Sequence, residues 1–244
     1  MIHEHCYTEH VVAARIEIDC SGASLPAYYA APTAAGAATP SIVMAMHLSG
    51  VDADQRQTAR RFASEGFAAI VPDLYARFGA PDGDGERDYR AFLPFAKRLS
   101  FETVEPDIRA AAQWLRTAFP TTRTSIAGFC MGGVMALRRA HGCRDTFAAA
   151  AIWYGRVSDI DPTAIDIPLV ASFGSADAGI PVATVQSFTA GLRVRNDVKV
   201  YADAGHAFCD PRGATYDRAA AENSWQRTIT FLRSIYEPIG TPSS

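Results

Sequence analysis

The 244-residue sequence lacks the features that would place a protein in a membrane, outside the cell or on nucleic acid. Its longest apolar runs, such as SIVMAM and AAAAIW, are far shorter than the about 20 residues that a spanning helix needs. A net charge of −3 leaves no basic excess to neutralise phosphates. The start, MIHEHCYTEH, has neither the basic nor the apolar part of a secretory signal. We therefore expect no membrane or nucleic-acid partner and a cytoplasmic location.

The cysteines lack both pairing and metal-ligand spacing. There are five, an odd number, and they are spread along the chain without a CxxC motif, which is typical of reduced thiols. His3, His5 and His10 cluster with acidic residues near the N-terminus, but a chain end that is expected to fray offers no fixed geometry to an ion. The sequence therefore predicts neither a metal nor a cofactor.

Apolar runs of strand length alternate with helical patterns along the chain. The runs SIVMAMH, FAAIVPDL, TSIAGF, AAAAIWYG and IPLVASFG predict strands that are covered on both faces. DADQRQTARRFASEG, FETVEPDIRAAAQWLRTAF, PVATVQSFTAGL and residues 215–236 predict helices, and residues 79–90 a loop. Such alternation indicates an α/β fold, with a mostly parallel central sheet and helices on both faces.

The N-terminal part follows a different pattern. VVAARIEIDC and LPAYYAAP, with a turn signal at residues 21–24 between them, predict an antiparallel hairpin at a sheet edge. No linker, repeat or low-complexity tract interrupts the chain. We therefore expect residues 1–244 to form a single α/β domain.

The segment GFCMGG, residues 128–133, follows one predicted strand and precedes a predicted helix. In many hydrolases a turn of the form G-x-S-x-G at such a point lifts a nucleophilic serine above the sheet. Here Cys130 has the serine position, and no G-x-S-x-G occurs elsewhere. The alternative is a small buried thiol, the usual fate of a free cysteine, but glycines on both sides favour a nucleophile.

A thiol nucleophile needs a base and a group that orients the base. Of the two histidines that follow Cys130, His141 falls in the predicted helix after the turn, whereas His206 directly follows the strand DVKVYAD. Asp177 follows the strand IPLVASF and is the favoured acid. Other acidic candidates in nearby loops remain open: Asp159, Asp161, Asp166, Asp203 and Asp210.

The motifs GFCMGG, FGSADAGIP and AGHAF, in this order and after a segment ending in PDLYAR, resemble the dienelactone hydrolase family of the α/β-hydrolases. The resemblance implies the α/β-hydrolase fold and a triad of Cys130, His206 and Asp177. It also implies an oxyanion hole made by the backbone N–H groups of Leu48 and Met131. The implied activity is hydrolysis of small esters or lactones, like that of a carboxymethylenebutenolidase, by a monomer or small homo-oligomer.

Two departures from the family pattern concern activation and substrate. His47 stands where the family carries a glutamate, so we hypothesise that His206 activates Cys130 with help from His47. The alternative for His47 is a packing or hydrogen-bonding role under the oxyanion loop. Family members grip a substrate carboxylate with arginines; here the candidates are Arg77, Arg87, Arg90 and Arg212.

Two other kinds of function stay open at this point. One is a non-catalytic or ligand-sensing α/β-hydrolase homologue, which covalent labelling of Cys130 would exclude. The other is a thiol redox protein that uses Cys130, with Cys143 or Cys209 as a resolving partner. Peroxide consumption that requires one of those two thiols would support it.

Overall fold

The computed structural model describes residues 10–86, 88–142 and 144–237. The sequence-based assignments for His3, His5, Arg87 and Cys143 lie outside these ranges. One eight-stranded sheet runs through the molecule in the order β1-β2-β4-β3-β5-β6-β7-β8. Its strands are β1 (Val11–Cys20), β2 (Ala23–Pro32), β3 (Ser41–Ala45), β4 (Ala68–Pro72), β5 (Thr124–Phe129), β6 (Phe147–Trp153), β7 (Leu169–Gly174) and β8 (Asn196–Tyr201).

Helices cover the sheet: α1 (Ala53–Ser64), α2 (Leu93–Ala96), α3 (Phe101–Ala118), α4 (Met131–Arg139), α5 (Val182–Gly191) and α6 (Arg218–Tyr236). α1 and α6 meet over the sheet, where Phe62 packs against Trp225 and Trp153. Every residue of β3 and β4 is buried, as expected of strands with both faces covered. No helix in the described ranges is both long and apolar enough to cross a bilayer.

The first two strands form the predicted antiparallel hairpin at one edge of the sheet. Cys20 pairs with Ala23, so the turn is only Ser21 and Gly22, both with positive φ, rather than the four residues expected. β2 then pairs antiparallel with β4, and all further strands from β4 to β8 are parallel. The predicted fold class, a mostly parallel sheet with an antiparallel edge hairpin, is confirmed.

The predicted loop 79–90 ends earlier than expected. From Tyr89 the chain forms a 3-10 turn, Tyr89–Phe92, that runs into α2, because Phe92 is fully buried in the core. The last helix begins at Arg218 instead of residue 215, where the Asp217 carboxylate accepts from the Ala220 N–H and caps it. His141 lies just beyond α4, which ends at Arg139, and not inside it.

Candidate active site

Cys130 occupies the turn between β5 and α4. Its backbone is strained, with φ 52° and ψ −117°, a conformation that L-residues rarely adopt. The glycines around it are required by space: a Cβ on Gly128 would lie 2.1 Å from the Gly132 carbonyl oxygen, and one on Gly132 would lie 2.1 Å from the Ala45 carbonyl oxygen. The Cys130 N–H donates to the Trp153 carbonyl at 3.0 Å, which ties the turn to β6.

His206 lies between Cys130 and Asp177. Its Nε2 is 3.1 Å from the Cys130 Sγ, and its Nδ1 is 2.6 Å from the Asp177 Oδ2. The second oxygen of Asp177 accepts from the Gly179 N–H at 2.9 Å, and this carboxylate is buried. Among the acidic candidates it is Asp177 that contacts the imidazole. The three side chains follow β5, β7 and β8, whose carboxyl ends share one sheet edge.

The charge state of His206 follows from these contacts. The hydrogen bond to Cys130 raises the pKa of His206 to about 9, with further support from the Cys130 charge and from Asp177 against the opposing effect of burial. The imidazole is therefore doubly protonated and positively charged at neutral pH, as long as the Cys130 sulfur is not acylated. Such a proton sits where a leaving group would need it.

A cavity of about 660 Å³ opens above Cys130 and His206. Aromatic side chains that line it include Phe129, Tyr154 and Tyr216. Polar lining residues come from α1, namely Asp54, Gln57, Thr58 and Arg61, and from α6, namely Arg218 and Glu222. The cavity combines apolar surface with a few polar groups, as small-molecule sites do.

Two cavity arginines, Arg61 and Arg218, were not among the sequence-based candidates. Arg61 pairs with Glu222 at 2.5 Å and stacks over Trp225 at 4.2 Å. The Arg218 guanidinium makes no hydrogen bond or ion pair within the described part of the chain. A signal for the first existed in the sequence, since residues 54, 57, 58 and 61 follow the i, i+3, i+4, i+7 spacing of one helix face.

The arginines named from the sequence lie elsewhere. Arg77 pairs with the buried Asp107 at 2.5 Å, and Arg90 is 72% exposed beside the Tyr89 ring. Arg212 contacts three carboxylates, those of Asp52, Asp54 and Asp210. None of these three arginines lines the cavity, and for Arg77 and Arg212 the reason is that nearby carboxylates hold the guanidinium.

His47 lies at the cavity next to a buried carboxylate. Its Nε2 is 3.0 Å from the Asp52 Oδ1, and the same oxygen accepts from the Gln55 N–H and caps α1. Burial would raise the pKa of Asp52, but the close His47 ring, the hydrogen bond from the Gln55 N–H and the Arg212 charge hold that pKa below its usual range. Asp52 is thus an anion that fixes the His47 ring beside the Leu48 loop.

The backbone N–H groups of Leu48 and Met131 face no protein acceptor. Leu48 belongs to a tight turn in which the Gly50 N–H donates to the His47 carbonyl at 3.1 Å, and Met131 is the first residue of α4. Within residues 10–86, 88–142 and 144–237, neither N–H donates a hydrogen bond. Leu48 lines the cavity and Met131 directly follows Cys130, so both amides are unused donors near the sulfur; free donors of this kind are a requirement of an oxyanion hole.

Cys209 also lines the cavity, but its environment suits a structural thiol. Burial raises the pKa of Cys209 to about 12, although Ser224, Tyr154 and Arg61 act in the opposite direction. Its sulfur lies 3.6 Å from the Ser224 Oγ. A protonated thiol is a poor resolving partner in disulfide chemistry. The described residues hold no cluster of three or more His, Cys, Asp or Glu suited to a metal.

A strained strand-to-helix turn at the carboxyl edge of a parallel sheet, with an acid and then a histidine after later strands, is typical of the α/β-hydrolase fold class. Within that class the chain belongs to the dienelactone hydrolase family, whose sequence model matches residues 25–236. The family and its named homologues are hydrolases. The resemblance found in the sequence is therefore confirmed.

Three relatives illustrate the similarity. The chain is 32% identical over 232 residues to a Salmonella typhimurium protein whose provisional name is carboxymethylenebutenolidase, covering 88% of this chain and 84% of that one. It is 28% identical over 216 residues to the carboxymethylenebutenolidase of Pseudomonas putida, covering 82% and 88%. A crystal structure from Klebsiella pneumoniae, provisionally described as a dienelactone hydrolase, superposes with a TM-score of 0.82 at 29% identity, covering 91% and 98%.

Proposed function

We propose that the protein hydrolyses small esters or lactones, like a carboxymethylenebutenolidase, with Cys130 as nucleophile, His206 as acid and base, and Asp177 as orienting carboxylate. The observation that carries this proposal is the His206 ring, with one nitrogen 3.1 Å from the Cys130 sulfur and the other 2.6 Å from the Asp177 carboxylate. A base within reach of a nucleophile and held by a third group is the arrangement that nucleophilic catalysis needs.

The first half of the reaction forms a thioester. In the starting state His206 already holds the proton that Cys130 has lost, and the Cys130 thiolate bonds to the carbonyl carbon while the carbonyl electron pair moves to oxygen. The N–H groups of Leu48 and Met131 stabilise that oxyanion. When the carbonyl re-forms, the bond to the leaving oxygen breaks, and this oxygen takes the proton from His206 Nε2.

The second half returns the enzyme to its starting state. In the thioester the sulfur carries no charge and no proton, so the main cause of the raised His206 pKa is gone and the imidazole can act as a base. It takes a proton from water, the hydroxide adds to the thioester carbon, and the C–S bond breaks. The products are an acid and an alcohol, or one hydroxy acid from a lactone.

In this proposal His47 assists the activation of Cys130 from the other side of the cavity, held by Asp52. Of the cavity arginines, Arg218 supplies positive charge near the substrate, whereas Arg61 is paired with Glu222. No step draws on a metal or a cofactor.

The pH dependence of the first half follows from the His206 pKa. Because that pKa is raised to about 9, the imidazolium persists up to that pH and is lost above it. We expect kcat/KM for an alkyl ester to fall about tenfold per pH unit above about pH 9. Alkylation of Cys130 by iodoacetamide needs no proton donor and should not fall. A decline of hydrolysis centred near pH 6.5, the ordinary imidazole value, would contradict this prediction.

Replacing Asp177 by asparagine tests the proposed orienting carboxylate. The amide keeps the shape but loses the charge that stabilises the imidazolium, so kcat/KM for an ester should fall roughly 10²- to 10⁴-fold. Asp159→Asn is a matched control, because Asp159 is an exposed carboxylate paired with Arg156 at 3.0 Å. Equal activity of the two variants would remove Asp177 from the mechanism. A panel of esters and lactones on the wild type defines the preferred substrate.

A further inference from the structure

Tyr75 lies behind the turn that carries the Leu48 amide. Its side chain is buried, with 3% exposed, and its ring stacks against Phe92 at 6.3 Å. The Tyr75 O–H donates to the Leu48 carbonyl at 3.0 Å. The ring also packs over Gly50, where a Cβ would lie 3.5 Å from the Tyr75 Cδ2. Tyr75 does not line the cavity, and no step of the proposed reaction uses it.

The two peptide planes beside the Leu48 Cα are each held by one hydrogen bond. The Leu48 N–H shares a planar peptide with the His47 carbonyl, which accepts from the Gly50 N–H at 3.1 Å. The next peptide carries the Leu48 carbonyl, which accepts from Tyr75. Because both planes are fixed, the backbone angles of Leu48 are fixed too, and with them the direction of its N–H.

The same hydroxyl reaches the second half of the oxyanion hole. The Tyr75 Oη lies 3.8 Å from the Met131 Sδ, so one side chain touches both residues that would supply the two N–H donors. The hydroxyl has a single proton, and the shorter contact, to the Leu48 carbonyl, takes it. Burial, with the charge of Asp73, raises the pKa of Tyr75 well above its usual range, so the proton stays at any working pH.

We propose that Tyr75 is a positioning residue for the oxyanion hole, which sets the Leu48 N–H and the start of α4 at a fixed separation without touching the substrate. This inference rests on the proposed function and adds a residue to it. Its physical basis is that donors must be in place before charge develops on the carbonyl oxygen, because reorganisation at that moment is costly.

The test compares Tyr75→Phe with Tyr236→Phe. Tyr236 is a matched control, because its hydroxyl also meets a backbone carbonyl, that of Ser41 at 3.2 Å, and the Ser125 Oγ at 2.7 Å, far from the cavity lining. With an alkyl ester, Tyr75→Phe should lower kcat roughly 10- to 100-fold, part of the loss seen when a whole oxyanion donor is removed. KM should change by less than about twofold, and Tyr236→Phe should leave kcat unchanged.

A second readout separates positioning from general support of the fold. Iodoacetamide reacts at a saturated carbon and develops no oxyanion, so alkylation of Cys130, followed by the mass of its peptide, should proceed at the wild-type rate in Tyr75→Phe. A fall in hydrolysis with unchanged alkylation supports the inference. An unchanged kcat overturns it, and so does a parallel fall of both rates or a failure to fold, since these assign Tyr75 a structural role.

Failure of the inference is distinct from failure of the proposed function. If the wild type hydrolyses no ester or lactone in the panel, the proposed function fails before Tyr75 is tested. If the wild type hydrolyses an ester and both tyrosine variants match it, only the role of Tyr75 fails.

Discussion

Replacing Cys130 by alanine is expected to lower kcat for ester hydrolysis roughly 10⁴- to 10⁶-fold, the loss typical of a triad nucleophile. The remaining rate would come from substrate binding and the Leu48 and Met131 amides alone. The fold should persist, because alanine is smaller than cysteine and the turn is held by Gly128, Gly132 and the Cys130 N–H, which alanine retains. Release of 4-nitrophenol from its acetate ester, with thermal unfolding measured in parallel, checks both parts.

Cys20→Ala provides the matched control. Cys20 is a buried thiol on the edge hairpin whose sulfur donates to Asp107 at 3.4 Å, outside the cavity. The Cys20→Ala variant should hydrolyse the ester at the wild-type rate, and electrophiles should label its Cys130 as they do in the wild type. Hydrolysis that survives Cys130→Ala would refute the thioester mechanism, and a folded wild type that resists labelling would favour the ligand-sensing alternative.

Adding one methyl group at Gly132 is expected to destabilise the fold strongly. The Cβ would lie 2.1 Å from the Ala45 carbonyl oxygen and 2.8 Å from that of Met46, both backbone atoms that no rotamer change can move. Overpacking of this kind costs about 3 kcal/mol or more in the free energy of unfolding. Each kcal/mol lowers the midpoint of thermal unfolding by roughly 2 to 4 °C in a chain of this size, so this midpoint should fall roughly 6 to 12 °C.

Gly36→Ala makes the same chemical change where nothing opposes it. No heavy atom lies within 4 Å of a Cβ at Gly36, and its φ is not positive. Its unfolding free energy should stay within about 0.5 kcal/mol of the wild type. Gly132→Ala should also lose hydrolysis, because moving α4 away from the end of β3 separates Met131 from Leu48. Equal midpoints of thermal unfolding for Gly132→Ala and Gly36→Ala would contradict this prediction, because they would show that the turn accommodates a Cβ at Gly132.

Much of the fold is predictable from the chain because its periodicities are strong. The unbroken apolar runs of β3, β5 and β7 have strand length, and the glycines and caps around α1 fix its ends within a residue or two. The segment after residue 88 was predicted less well. It has no helical period of its own and is ordered by the burial of Phe92, a tertiary contact that local pattern does not reveal.

The candidate site shows a similar division. Cys130, Asp177 and His206 could be named because each follows a predicted strand, and parallel strands bring such positions to one edge. The arginines could not be chosen in this way, because a guanidinium reaches far from its backbone and its partner decides where it points. Arg77 turns to the buried Asp107, whereas Arg61 reaches the cavity from the last turn of α1.

The hydrogen bond from Tyr236 to Ser41 has a consequence for folding during synthesis. These residues are 195 positions apart, and the Tyr236 hydroxyl also contacts Ser125 on β5. Synthesis proceeds from the N-terminus, so the central strands leave the ribosome well before the helix that clamps them. In the proposed mechanism, a nascent chain that ends before residue 206 contains the nucleophile Cys130 but not the base His206. By this mechanism, hydrolysis requires synthesis to have passed residue 206, and until then the Cys130 thiol lacks its partner.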